Sequence, residues 1–214
     1  TIVLGRGKHE INGVYLNIRS AMNIVGDPGV PKEEIVVLGG ICFQKRIQGN
    51  CHLQHMTLRQ AKRSGVSGWS SFTMNDVVVE QCGQYGVKAD GPTGTGGVGS
   101  CTNVEVRQCG AGGVSAMNGA YLTLIGANTT VHHNCTKGRS GNYGLEVFTQ
   151  HRQFWMAKIH PTIQLVFPLT KEQVSIDNGG GGNWGANIGG IDDIKTISQA
   201  ELDTAAAVVA SGEV

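Results

Sequence analysis

The feature that most constrains this chain is a phrase it repeats: an apolar strand end, a charge, an amide, a small residue, then Gly-Val. It appears as Leu58-Arg59-Gln60-Ala61 with Gly65-Val66, and as Val79-Glu80-Gln81-Cys82 with Gly86-Val87. It returns as Val106-Arg107-Gln108-Cys109 with Gly113-Val114. Looser copies are His133-Asn134-Cys135 with Gly144-Leu145, and Ile176-Asp177-Asn178-Gly179. Successive steps are 21, 27 and 31 residues apart, with the extra length in Gly-rich or polar insertions. Self-similarity at that period marks a solenoid, in which each repeat covers the hydrophobic face of its neighbour.

Within a repeat, Val104-Glu105-Val106-Arg107 alternates with period two, so the valines face one side and the charges the other. The alternation breaks at Gln108-Cys109, where the strand turns a corner rather than meeting a hairpin partner. A second short strand then starts at each Gly-Val, and the next coil opens at Phe72-Thr73-Met74 or Cys101-Thr102-Asn103. The amide position reads Gln60, Gln81, Gln108, Asn134 and Asn178, a stack that can hydrogen-bond along the solenoid axis. Two or three short strands per turn of 21 residues describe a parallel β-helix.

Composition agrees. The 214 residues include 33 glycines, with only 6% aromatic and 15% charged residues, which suits short strands joined by tight turns. A formal charge of +1 argues against nucleic acid as a partner. No apolar run approaches the roughly 20 residues of a membrane span. The opening Thr1-Ile2-Val3-Leu4-Gly5-Arg6 is not a charged-then-apolar leader, and a start at Thr is compatible with processing. Of six cysteines, Cys82, Cys109 and Cys135 take the slot that Ala61 takes in an earlier repeat. That placement predicts small, reduced core thiols stacked rung on rung, and it favours a reducing intracellular or organellar compartment.

Two stretches resemble a known superfamily. The segment Ile2-Val3-Leu4-Gly5 through Ile11-Asn12-Gly13 to Ile18, then Met22-Asn23-Ile24-Val25-Gly26-Asp27, is similar to the first coils of pectate-lyase-like right-handed β-helices. The Gln-Cys-Gly and Gly-Val phrases resemble the carbohydrate-binding and sugar-hydrolase repeats of that superfamily. The resemblance spans roughly residues 1–190. It implies the fold and leaves the function open, because the superfamily holds lyases, hydrolases, epimerases and non-catalytic binders. Its enzymatic members act on acidic polysaccharides with clustered acids, often with calcium.

No such cluster is legible here. The seven aspartates are scattered, at 27, 76, 90, 177, 192, 193 and 203, and the adjacent pair Asp192-Asp193 lies beyond the last clear coil. The polygalacturonase signatures Asn-Thr-Asp, Gly-His-Gly and Arg-Ile-Lys are absent, so no catalytic residue carries over. The repeat alignment places Arg59, Glu80, Arg107, His133 and Asp177 in one outward row. Alternating signs about 4.8 Å apart predict a surface ladder, or a polar face offered to a sugar or a protein. The alignment puts His132 where Val106 sits, which predicts an inward imidazole or a local bulge. Adjacent strand residues point to opposite faces, so His132 and His133 are not expected to share a metal. Tyr85 and Tyr143 each precede the Gly of a Gly-Val step and are candidate aromatic contacts on one edge. The run Gly179–Gly185 lacks the Lys-Ser/Thr of a phosphate loop and reads as a turn. The stretch Gly91–Gly97 reads as a bulged loop, and residues 148–161, with Trp155 and His160, as an insertion.

These readings converge on an all-β chain: a right-handed parallel β-helix of about seven coils over residues 1–195, with a helical cap or tail over 196–214. The cap is announced by the Ser198-Gln199-Ala200-Glu201 capping box, with helix continuing to Ala210. The expected function is a non-enzymatic binding or scaffold module engaging a protein partner or larger assembly, with no cofactor, metal or membrane span. The alternative is a carbohydrate-active protein, either a glycan binder or a divergent polysaccharide lyase or epimerase.

Overall fold

The computed structural model describes residues 1–91, 98–149, 160–187 and 193–204. The expected loop at 91–97, Trp155, Asp192 and the helix beyond residue 204 lie wholly or mainly outside those residues. Every strand pairing is parallel, and the chain winds through three ladders in turn. The first contains β1 (Ile2–Leu4), β3 (Asn23–Gly26), the start of β5 (Cys51–Arg59) and the start of β7 (Phe72–Glu80). It continues through β9 (Val98–Thr102), β12 (Tyr121–Ile125), β15 (Thr162–Val166) and β18 (Ile194–Ile197). The second joins the first half of β2 (Gly7–Ile18), the first half of β4 (Ile35–Phe43), and the ends of β5 and β7. It closes with β10 (Glu105–Arg107), β13 (Thr130–His132) and β16 (Ser175–Ile176). The third joins the second halves of β2 and β4 to β6 (Val66–Gly68), β8 (Val87–Asp90), β11 (Val114–Met117), β14 (Tyr143–Phe148) and β17 (Gly182–Asn187). The chain is therefore a parallel β-helix of seven turns, as the repeat predicts.

The core is three stacked columns, one per ladder. Ile24, Leu53, Met74, Cys101, Leu124 and Leu165 form the first, in register and buried. Val37, Leu58, Val79, Val106 and Val131 form the second, which ends on the buried Ser175. Ile41, Val66, Val87, Val114 and Leu145 form the third. Volume is balanced across ladders. The Phe72 ring stacks on Phe43 with centroids 5.5 Å apart, and a Cβ on Gly68 or Gly99 would collide with it.

The Gly of each Gly-Val step has the same cause in every coil. A Cβ on Gly65 would press into Val79 Cγ1, on Gly86 into Val106 Cγ1, and on Gly113 into Val131 Cγ1. The next rung's core valine fills the space a side chain would need, so glycine at this position is a packing requirement. On the same neighbouring rung sits Cys82 Sγ, Cys109 Sγ or Asn134 Nδ2, within 3.3 Å of that virtual atom.

Register corrects the sequence alignment by one residue in the sixth coil. Val106 pairs with Val131 and Arg107 with His132, while Val131 pairs with Ser175 and His132 with Ile176. The outward row is therefore Arg59, Glu80, Arg107, His132 and Ile176; His133 and Asp177 stand one residue further, at the corner. The corner residues Gln60, Gln81, Gln108, His133 and Asp177 all have φ between 51° and 57°. The predicted amide stack splits accordingly. Asn134 and Asn178 take the inward slot after the corner, the slot of Cys82 and Cys109. Asn134 Oδ1 accepts from the Cys109 N–H at 3.0 Å, and Asn134 Nδ2 donates to the Val106 carbonyl at 3.0 Å. Asn178 repeats both bonds one rung on, to the Asn134 N–H and the Val131 carbonyl. Cys135 is the extra residue, with φ 61°, so it does not continue the Cys82–Cys109 stack. All six cysteines are free and buried.

At the C-terminal side, the capping box is formed. The Ser198 N–H donates to Glu201 Oε2 at 2.7 Å, and the Glu201 N–H donates back to Ser198 Oγ at 3.2 Å. Helix follows over residues 199–204. No helix among the described residues is long and apolar enough to cross a membrane.

Candidate functional sites

The outer side of the second ladder carries a continuous charged chain. Glu80 is only 3% exposed, yet both its oxygens are taken. Arg59 Nε donates to Oε1, and Arg107 donates to Oε2 from Nε at 2.8 Å and from Nη2 at 2.7 Å. Burial by itself would raise the Glu80 pKa; the hydrogen bonds from Arg107 and Arg59 more than offset it and hold the carboxyl below its ordinary range. Arg107 Nη1 reaches Glu105 Oε1 at 2.6 Å, and the same oxygen accepts from His132 Nε2 at 3.1 Å. His132 Nδ1 then lies 2.8 Å from His133 Nδ1. Beside this chain runs the corner row, where Gln81 Nε2 donates to Gln108 Oε1 at 3.3 Å. The two rows enclose an open groove of about 570 Å³, from Arg59 and Gln60 at one end to His132 and His133 at the other.

Three of the five residues expected in one outward row, Arg59, Glu80 and Arg107, are thus linked directly. His133 joins the groove from the corner, and Asp177 is not among the groove's lining residues. Two members escaped the sequence reading. His132 was displaced by the one-residue shift, and Glu105 was passed over although period two puts it on the face of Arg107.

A second cluster lies where the first ladder bends into the second. His55 and Asp76 both have φ 54° and stack one coil apart. His55 Nδ1 bonds Asp76 Oδ2 at 2.7 Å, His55 Nε2 bonds the Val30 carbonyl at 2.8 Å, and Lys32 Nζ holds Asp76 Oδ1. The hydrogen bond to Asp76, then that to Val30, raises the His55 pKa. With both ring nitrogens occupied, this imidazole is a structural cross-link between the Lys32–Glu34 turn and the coil, not a poised base.

The third ladder presents a different chemistry. Its outward row runs Ser67, Lys88, Ser115, Glu146, and Ser115 and Glu146 are fully buried although they face away from the core columns. Lys88 Nζ pairs with Asp90 at 3.2 Å and lies 5.4 Å from the Trp69 ring centre. Glu146 Oε1 accepts from the Tyr85 hydroxyl at 3.3 Å, while Oε2 and Ser115 Oγ have no partner. Burial raises the Glu146 pKa to about 7, against a smaller lowering by the Tyr143 N–H and the Tyr85 hydroxyl. The two candidate tyrosines therefore border one carboxyl rather than an open aromatic surface. The Tyr85 ring covers Gly112, and the Tyr143 ring covers Gly181 and Gly185.

The N-terminal end presents an apolar opening. Each internal strand is paired on both sides, whereas β1 pairs only with β3 and β2 only with β4. Ile2, Val3, Val14 and Leu16 are 44%, 66%, 45% and 40% exposed there. A cleft of about 310 Å³ opens among Ile2, Leu4, Ile11, Leu16, Ile24 and Ile41, which places the ends of the core columns next to solvent.

Fold and sites together define the class as a parallel β-helix with a hydrogen-bonded polar ladder outside and an apolar rung at its N-terminal end. No protein-family model, curated protein or solved structure matches the chain. Among the described residues, no group of three or more His, Cys, Asp or Glu could hold a metal ion.

Proposed function

We propose that this protein is a non-enzymatic binding and scaffold module, of the pectate-lyase-like β-helix type, that engages a partner protein through its N-terminal rung. The observation that carries this reading is the pair of free strand edges of β1 and β2 beside the exposed Ile2, Val3, Val14 and Leu16. Unpaired strand N–H and C=O groups are a template for another strand, and natural proteins usually cover or charge such edges. The ligand chemistry that satisfies both features is polypeptide. A strand supplies the main-chain hydrogen bonds, and its alternate side chains fill the cleft among Ile2, Leu4 and Leu16. The charged ladder supports the same reading from the other side. Arg59, Glu80, Arg107, Glu105 and His132 satisfy one another, as groups that fix rung register do.

The test is capture of partners on the immobilised protein, compared with Ile2→Lys and Leu16→Lys, which charge the rung without touching the core columns' interior. A partner retained by the parent chain, lost by both variants and retained by Arg59→Ala supports the proposal. A partner that binds all the variants alike overturns it. Binding to a panel of neutral and acidic glycans with no protein partner also overturns it, in favour of a carbohydrate-active protein.

A further inference from the structure

A run of two histidines on a flat strand would send its rings to opposite faces. Here the second one is a corner residue, and its φ of 54° turns it back to the side of the first. The two Nδ1 atoms face each other at 2.8 Å with the rings nearly perpendicular, at 85°. Two nitrogens bound at about 2.0–2.1 Å and at right angles about one metal ion lie about 2.8–3.0 Å apart, whereas a tetrahedral centre needs about 3.3 Å or more. The preformed separation fits the cis edge of a square-planar ion.

An independent contact prepares the first ring. His132 Nε2 lies 3.1 Å from Glu105 Oε1, and that oxygen also accepts from Arg107 Nη1 at 2.6 Å. A carboxylate already bonded to a guanidinium can only accept, so Nε2 carries a proton, and in the neutral ring that tautomer leaves the lone pair at Nδ1. A carboxylate behind a ligating imidazole is the usual outer partner in histidine metal sites, where it fixes the tautomer and the ring orientation. Both rings sit at the end of the open groove, so the remaining coordination positions are accessible to water and to the Gln108 amide beside them.

We propose that His132 and His133 form a divalent-metal site of the square-planar class, with Cu(II) preferred and Ni(II) next, binding through the two Nδ1 atoms. Binding sends the proton of the Nδ1···Nδ1 contact to an Nε2 or to solvent, and the ion sits off the line between the two nitrogens, where both lone pairs reach it. That order follows the general affinity series for nitrogen ligands, and the geometry disfavours Zn(II). Two protein nitrogens with the Glu105 carboxylate behind one of them make a modest-affinity, open site.

The test titrates the full chain with Cu(II) alone and reads its electron paramagnetic resonance spectrum. One equivalent showing hyperfine splitting from two imidazole nitrogens is expected. His133→Asn, which tolerates the left-handed corner, and His132→Asn each remove that signal while circular dichroism is unchanged. Glu105→Gln leaves both ligands in place and weakens binding by about 10–100-fold. A spectrum that persists in both histidine variants overturns the proposal, as does a thiolate-to-copper absorption band, or a Glu105→Gln affinity equal to the parent's.

Discussion

Glu146 provides the sharpest quantitative test of the fold. The residue is 2% exposed, one oxygen of its carboxyl has no partner, and burial raises its pKa from an ordinary 4.5 to about 7. A carboxyl with a raised folded-state pKa leaves stability intact at low pH, where both folded and unfolded chains hold the proton. Between pH 4.5 and about 7 the unfolded chain ionises first, so the folded state loses ground as pH rises, and the loss is complete above about pH 7. Raising the pKa from 4.5 to about 7 corresponds to about 3 kcal/mol. Glu146→Gln keeps the shape of the protonated acid and an oxygen for the Tyr85 hydroxyl. The variant is expected to match the parent at pH 4 and to exceed it by about 3 kcal/mol at pH 8. For a chain of this size that is roughly 6–12 °C in Tm. Urea or thermal unfolding of both chains at half-unit pH steps measures the difference curve directly. Parallel curves from pH 4 to 8, or a variant less stable than the parent at pH 8, would refute the argument that this carboxyl is buried without compensation.

Two further predictions bear on the coil and its ladder. Gly86→Ala places a methyl against Val106 Cγ1 and the Gly113 carbonyl, and is expected to lower stability by about 1–3 kcal/mol in urea unfolding; Gly141→Ala, where a Cβ meets nothing within 4 Å, serves as the comparison for a glycine outside the stack. Glu80→Gln leaves two guanidinia, each about a third exposed, without their shared carboxylate, and is expected to cost about 1–2 kcal/mol at pH 7 after allowance for their access to water. Because the Glu80 pKa is depressed, its contribution is present above the ordinary carboxylate range and fades as pH falls through the folded value. The gap between parent and variant in the same assay should therefore close in acid.

The repeat made the coil legible because each rung meets the same local demand. A core valine needs a glycine opposite it on the preceding rung, and a left-handed corner is followed by a small inward residue, so Gly65, Gly86 and Gly113 recur with Ala61, Cys82 and Cys109. The charged row was legible for the same reason, as far as Arg107. It failed at the sixth coil because matching Cys135 to Cys109 counted from the wrong side of an inserted residue. The structure takes its phase from the buried column, where Val131 must stack on Val106 whatever follows it.

Sequence alone therefore determined the parallel β-helix, its seven turns, the strand starts at each Gly-Val and the placement of Arg59, Glu80 and Arg107 on one outer face. These follow from period and packing between nearest-neighbour rungs, which the chain writes down in order. Only the tertiary structure decided that His132 and His133 face each other, that Lys32 from a connecting turn meets Asp76 more than forty residues on, and that Glu146 is buried on an outward face. Each of those depends on a backbone twist at one corner or on segments far apart in the chain, and periodicity carries no record of either.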